Sequence, residues 1–552
     1  MKFDPVYNPY PSIRHPIYAR EGIVASSSAQ ASAAGLEALR QGGNAIDAAV
    51  AAASAIAVTE PCANAIGSDA FAIVWTGGKL YGLNASGRAP ANLSIETLKA
   101  KQGNHDRMPQ SGWAPTMVPG APKAWAYLAQ RFGKLPLKTS MERAVHYARE
   151  GYPLSSNLAA YFIQAAERFR AFGGDQKVFD EWRKTFLQRG TSTLSGLGAG
   201  SPWNDAPKAG DMLVLSNHAE SLQAIADTNA DAFYNGHLGD RIVADSKELG
   251  GYFCKEDFSS YDADWVEPVS VNYRGYDIWE IPPNGQGVAA LAALNILKEF
   301  EFPSRETPDT FHKQWEAMKM AFSDALAHIT DIRFMKEDYR QWLSPEYGRK
   351  RAAEIGERAS LPMPLRPPQG GTVYLATADG EGNMVSYIQS NYMGFGSGIV
   401  IRGTGISLQN RGADFSLDPL AANALAPGKK SYHTIIPGFL TKDGKALGPF
   451  GVMGGYMQPQ GHVQVITNMI DFGLNPQQAL DTPRWQWIEG KKVHVEPGFN
   501  PEIARALAER GHDVTVSLET AGFGRGQIII RLDNGVLVGA TKGRTDGNIA
   551  CI

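Results

Sequence analysis

The 552-residue chain carries 53 lysines and arginines against 56 aspartates and glutamates, a balance that excludes the clustered positive excess of a nucleic-acid binder. Hydrophobic residues make up 43% and charged residues 20%, and a chain this long can bury a large core without covalent staples. Cys62, Cys254 and Cys551 are too few and too scattered for a disulfide framework or a CxxC metal pair. The opening MKFDPVYNPYPSIRHP lacks the apolar stretch of a secretory signal. The most apolar run, residues 45–58, contains Asp47 and is shorter than the ~20 residues a bilayer span needs. A soluble, cytoplasmic protein without membrane or nucleic-acid partners is the expectation.

Residues 26–57 read as two helices. Gly42 and Gly43 end the first with a left-handed cap, and Asn44 caps the second, with Asp47 in its first turn. Residues 70–87 form a hairpin around Thr76, Gly77 and Gly78. Residues 119–350 are mostly helical, interrupted at VSVNYRGYDIWEIPPNGQG by strand character, with a helix following over residues 288–300. Four prolines and a Gly-Gly pair mark 355–371 as an exposed linker. Beyond it the pattern is largely strand: TVYLATAD, NMVSYIQSN, GIVI, HTIIPGFLT and GQIIIRLDNGVLVGAT. This order suits stacked sheets covered by helices.

The stretch GGTVYLATADGEGNMVSYIQSN is a strand, a five-residue turn and a second strand. If the turn is symmetric about Glu381, residue 378 faces 384 and, six steps outward, Thr372 faces Ser390. Opposed side chains in a hairpin lie about 5 Å apart, so register alone puts a second hydroxyl beside Thr372, unless a bulge intervenes. One explanation of Thr372 is an ordinary strand start. The other is a scissile Gly371-Thr372 bond: glycine lets the hydroxyl approach its own preceding carbonyl, and cleavage frees an amine that can serve as base for that hydroxyl.

Taken in order, GGNAIDAAVAAASAIAVTEP, VPGAPKAW, PPNGQGVAALAALNIL, the Thr372 segment, LQNRGADFSLDP and GVMGGYMQPQGH resemble the γ-glutamyltransferase family of N-terminal-nucleophile hydrolases across nearly the whole chain. The resemblance implies a four-layer αββα sandwich and self-cleavage into residues 1–371 and 372–552, both halves completing one unit. It implies Thr372 as nucleophile, Ser390 (where the family usually has threonine) as supporting hydroxyl, Gly454 and Gly455 as oxyanion donors, and Asp414 as holder of a substrate amino group. Plainer roles are a tight turn for the glycines and a cap for Asp414.

Several positions depart from the family. Its carboxylate-clamping arginine is replaced by Ser86, with Arg88 two residues later; its glutamine in the LQN segment is Arg411; its paired serines are His433 and Thr434; an asparagine is Tyr392. A guanidinium still suits a carboxylate, with Arg411, Arg88 or Arg525 as candidates. Arg88 could equally cap a loop, Arg525 be a surface turn residue between two glycines, and His433 a core histidine; no second histidine lies at metal-ligand spacing. These changes resemble a side branch that includes oxamate amidohydrolases. The expectation is a threonine amidohydrolase, without metal or cofactor, that hydrolyses a small carboxylate-bearing amide. It would act as a non-covalent pair of its own fragments, or as a dimer of such pairs. The alternatives are glutathione hydrolysis or γ-glutamyl transfer, and an unprocessed binding protein.

Overall fold

Ser28 and Asn44 each accept a backbone N–H and so start the helices Ala29–Arg40 and Ala45–Thr59. Gly42 between them has φ of 88°, the left-handed conformation glycine supplies without steric cost. The second helix is buried along its whole length, which accounts for a sequence that is apolar all round. Its alanines allow close packing: a Cβ on Gly35 of the first helix would lie 2.9 Å from the Ala48 carbonyl oxygen. Asp47 accepts the N–H groups of Asn44 at 2.9 Å, Lys134 at 2.8 Å and Leu135 at 3.2 Å. Asp47→Ala should strand these donors and cost about 3 kcal/mol, seen as a lower denaturant midpoint. An unchanged midpoint would mean that water serves them equally well.

The computed structural model describes residues 10–11, 14–172, 174–187, 206–362, 371–544 and 546–552. Two seven-stranded sheets form its centre. In one, the order is Ile17–Ala19, Leu537–Thr541, Arg525–Arg531, Lys445–Met453, Gly438–Lys442, Tyr276–Glu280, Val269–Tyr273. In the other it is Asn548–Cys551, Gly22–Ser26, Gly371–Asp379, Met384–Tyr392, Asp69–Thr76, Lys79–Ala85, Asp264–Val266. Each sheet therefore takes strands from both sides of residue 371.

The side chains sort into three apolar layers by the two-residue period of the strands. Tyr374, Ala376, Ala378, Ile388 and Ile529 pack between the sheets. Val373, Leu375, Val385 and Tyr387 face the two N-terminal helices and the helix Leu137–Glu150. Phe450, Val452, Ile528 and Ile530 face the helices Gly287–Leu297, Pro308–His328 and Met457–Ile470. This is the four-layer αββα sandwich, and it sets Thr372, two residues before Tyr374, on the face between the sheets.

Several expectations need correction. GIVI is not a strand: Gly396 and Gly398 have positive φ, and the chain folds back so that Ile401 N–H donates to the Ile406 carbonyl. HTIIPGFLT becomes strand only from Gly438. The second half also contains the helices Met457–Ile470, Pro476–Asp481 and Pro501–Glu509. The stretch 355–371 is not uniformly an exposed linker: Ala359 is buried and its N–H donates to the Arg510 carbonyl at 2.8 Å. The remainder of that linker, 363–370, lies outside the described residues. Among the described residues no helix is long and apolar enough to cross a membrane.

Candidate active site

Thr372 and Ser390 are both buried, and their hydroxyl oxygens are 3.1 Å apart. The hairpin register holds from Ala378 opposite Met384 to Val373 opposite Gln389, and then a bulge places Gly371 opposite Tyr392. Thr372 lies within this register shift, and the two hydroxyls still meet. Ser390 Oγ also lies 2.8 Å from the Gly371 carbonyl oxygen. That oxygen can only accept, so the Ser390 hydroxyl donates to it and Thr372 Oγ donates to Ser390. Ser390 thus touches both the Thr372 hydroxyl and the carbonyl of the Gly371-Thr372 bond. The Tyr392 N–H fixes Ser390 by donating to its Oγ at 2.8 Å. Tyr392 reaches that position with φ of 76°, a conformation costing on the order of 1–3 kcal/mol in a residue with a side chain.

Arg411 runs along this group. Its guanidinium stacks 4.1 Å from the Tyr392 ring centre; Nη1 donates to Thr434 Oγ1 at 2.7 Å and to Asp414 at 3.3 Å, and Nη2 reaches Ser390 Oγ at 3.5 Å. Arg411 Nε is buried and has no hydrogen-bond partner among the described residues. Asp414 also accepts the hydroxyls of Tyr392 at 2.5 Å and Tyr456 at 3.3 Å. Burial pushes the Asp414 carboxyl upward, opposed by the Arg411 charge and the Tyr392 hydrogen bond. Burial, reinforced by the Asp414 charge, pushes both phenols well above their ordinary range, so they keep their protons and donate.

Gly454 and Gly455 form the turn between the strand Lys445–Met453 and the helix Met457–Ile470, with φ of 137° and 58°. Both values favour glycine. Neither N–H donates to a protein acceptor among the described residues. Gln286 ties this turn to the Arg411 group, donating to the Gly455 carbonyl at 2.9 Å and the Thr434 carbonyl at 2.6 Å. Tyr456, the next residue, reaches Asp414.

The side chains of the other candidates make no hydrogen bond to this network among the described residues. His433 Nδ1 accepts from Ile435 N–H at 3.3 Å, so its Nε2–H donates to Asp69 at 3.0 Å. Burial and the charges of Arg411 and Lys430 push its pKa well down, and burial lifts Asp69 to about 7 against the pull of Arg411. Arg525 is neither a surface residue nor a free clamp: it is buried and pairs with Glu60 at 3.1 Å and the Tyr161 hydroxyl at 2.9 Å. Ser86, in the place of the family's arginine, is buried against Asn84 and Asn284. Arg88 makes no side-chain hydrogen bond among the described residues; its Nε is buried, and its charge bears on Lys430. Sequence reasoning missed Tyr456, Tyr432 and Gln286, although each lies within or beside a motif segment. Tyr432 and Tyr456 stack 5.7 Å apart.

The profile described as gamma-glutamyltranspeptidase matches residues 31–552. A glutathione hydrolase-like proenzyme of Bacillus subtilis is 34% identical over 95% of this chain and 97% of its own. An oxamate amidohydrolase proenzyme of Klebsiella pneumoniae is 34% identical over 94% and 96%. The crystal structure of a cephalosporin acylase from Bacillus halodurans superimposes with a TM-score of 0.92 at 54% identity, covering 100% of this chain and 99% of that one. With the fold and the order of motifs already in place, the chain belongs to the gamma-glutamyltranspeptidase family and is a self-processing N-terminal-nucleophile amidohydrolase.

Proposed function

We propose that this enzyme cuts its own Gly371-Thr372 bond and then uses Thr372 to hydrolyse amides whose acyl group carries a carboxylate and lacks an α-amino group. In self-cleavage, Thr372 Oγ adds to the Gly371 carbonyl carbon while Ser390 donates to the carbonyl oxygen. The C–N bond breaks, an ester to Oγ remains, and the nitrogen gains the proton lost by the hydroxyl. Water then splits the ester into a Gly371 carboxylate and a free Thr372 with its amine. In turnover the amine takes the Oγ proton as Oγ attacks the substrate and passes it to the leaving nitrogen. Gly454 and Gly455 N–H groups receive the oxyanion, and water releases the acyl group. The fragments 1–371 and 372–552 stay paired because each sheet draws strands from both.

The observation that carries the substrate reading is the Arg411–Asp414 arrangement. Asp414 accepts from Tyr392, Tyr456 and Arg411, so little of it remains for a substrate ammonium. Arg411 retains a buried Nε without a partner among the described residues and a long 3.5 Å contact from Nη2, donors a carboxylate could take. Nη2 also lies within two hydrogen-bond lengths of Thr372 Oγ, 3.5 and 3.1 Å, which favours a short acyl group such as that of oxamate. Arg411→Gln should raise KM for such an amide about tenfold to a hundredfold, the worth of a charge-assisted contact at ~1.5–3 kcal/mol, and spare self-cleavage. Steady-state kinetics on oxamate, a glutaryl amide and a γ-glutamyl anilide test this. A wide preference for the γ-glutamyl compound would replace this reading with glutathione hydrolysis.

A second reading has its own support. The stacked Tyr432 and Tyr456 beside Asp414, and the 54% identity to the cephalosporin acylase, favour a longer acyl group or bulkier amine. Faster turnover of the glutaryl amide than of oxamate would select it.

A further inference from the structure

Far along the chain from Thr372, four buried polar side chains meet. His312, Glu316 and Lys319 lie on one face of the helix Pro308–His328 and face His512, which precedes the strand Asp513–Val516. The ligand atoms of His312, Glu316 and His512 lie within 4.8 Å of one another, a grouping that invites a metal ion. The donors and acceptors argue otherwise. His312 Nε2 is 2.8 Å from the Gly356 carbonyl, which only accepts, so this nitrogen carries the proton. His312 Nδ1 therefore accepts from His512 Nε2–H at 2.9 Å. His512 Nδ1 in turn accepts from the Lys319 ammonium at 3.4 Å. Lys319 also donates to Glu316 at 2.8 Å and to the Ser360 carbonyl at 3.3 Å, which uses all three of its protons. The other Glu316 oxygen accepts the Ser360 N–H at 3.2 Å and the Ser360 hydroxyl. Every ring nitrogen is engaged in one consistent direction, and an ammonium stands where a cation would. Burial lowers the pKa of both histidines, in keeping with neutral rings.

We infer that His312, Glu316 and Lys319, held in place by His512, form a clamp that grips residues 356–360, so that this part of the large fragment stays pinned to the helix Pro308–His328 after cleavage. Three of the four side chains come from residues 1–371 and His512 from 372–552, so the clamp also joins the fragments, reinforced by Ala359 N–H on the Arg510 carbonyl. A buried ion pair is seldom the most stable filling for a core, and fixing where a backbone lies is a reason to keep one. Ser360 stands eleven residues before Gly371. Before the cut, releasing the clamp only lengthens a closed loop from the helix end at Glu354, and the logarithmic dependence of closure entropy on length makes that worth less than about twofold in rate. After the cut there is no loop, and the clamp and the Ala359 bond to Arg510 hold this stretch.

This inference rests on cleavage at Gly371-Thr372, but its readout does not. Hydrogen exchange followed by mass spectrometry on the purified enzyme should show the Ala359 and Ser360 amides protected. Glu316→Ala and His512→Ala should speed their exchange at least tenfold and lower the urea concentration at which the fragments separate. Glu316→Gln, which keeps an acceptor for Ser360, should lose less, and KM for the amide should be unchanged in all three. Cleavage elsewhere or not at all, with the amides still protected, would remove the proposed nucleophile and leave the grip on 356–360 standing. The clamp is overturned if these amides exchange freely in the wild type, if Glu316→Ala leaves them as protected as before, or if the enzyme takes up one equivalent of added zinc that His312→Ala abolishes.

Discussion

Thr372→Ala is expected to yield a single full-length chain with no amidase activity and an unchanged circular dichroism spectrum. In the proposed mechanism cleavage and turnover use the same hydroxyl, so losing it removes both rather than scaling either. The fold should survive because Thr372 contributes one small side chain at the edge of the layer between the sheets, and its only side-chain hydrogen bond among the described residues is to Ser390. Thr372→Ser should cleave slowly but measurably, since the nucleophilic oxygen is retained. Normal turnover by the alanine variant would remove the nucleophile from the account.

The second large effect is expected at Ser390. Its hydroxyl donates to the Gly371 carbonyl and accepts from Thr372, so in the proposed mechanism Ser390→Ala removes the donor that meets the developing oxyanion in self-cleavage. Losing one such donor typically slows an acyl transfer by about a hundredfold to a thousandfold. Precursor should therefore accumulate, with a cleavage half-time longer by that factor when followed by denaturing gel. Ser390→Thr should cleave at close to the normal rate. If Ser390→Ala matures as fast as the parent, the contact with Gly371 is incidental.

The sequence led to the site more directly than to its wiring. Counting outward from the Asp379–Asn383 turn placed a hydroxyl beside Thr372 because hairpin register is a local property; the register shift between Gly371 and Val373 left the two hydroxyls neighbours. Arg411 and Asp414 are three residues apart, so proximity was visible, but the tyrosines that occupy Asp414 were not. Partners distant in sequence were beyond reach: Arg525 finds Glu60, and His433 finds Asp69, only once the sheets are stacked. The helix Met457–Ile470 escaped notice for another reason. It is buried on nearly every side, with Gln460, Gln464 and His462 hydrogen-bonded to buried partners, so no polar face reveals its period. The clamp was invisible because a proline-rich stretch after residue 355 suggests a free linker, whereas Glu316, Lys319 and His312 pin its first part.

The central claim is that the working enzyme carries Thr372 as a new N-terminus. Intact-mass measurement of fully active protein under denaturing conditions tests it most directly. The account predicts two fragments, residues 1–371 and 372–552, together with loss of activity when the Thr372 amine is blocked. A single uncut chain with full turnover, or a cut at any other bond, would contradict it.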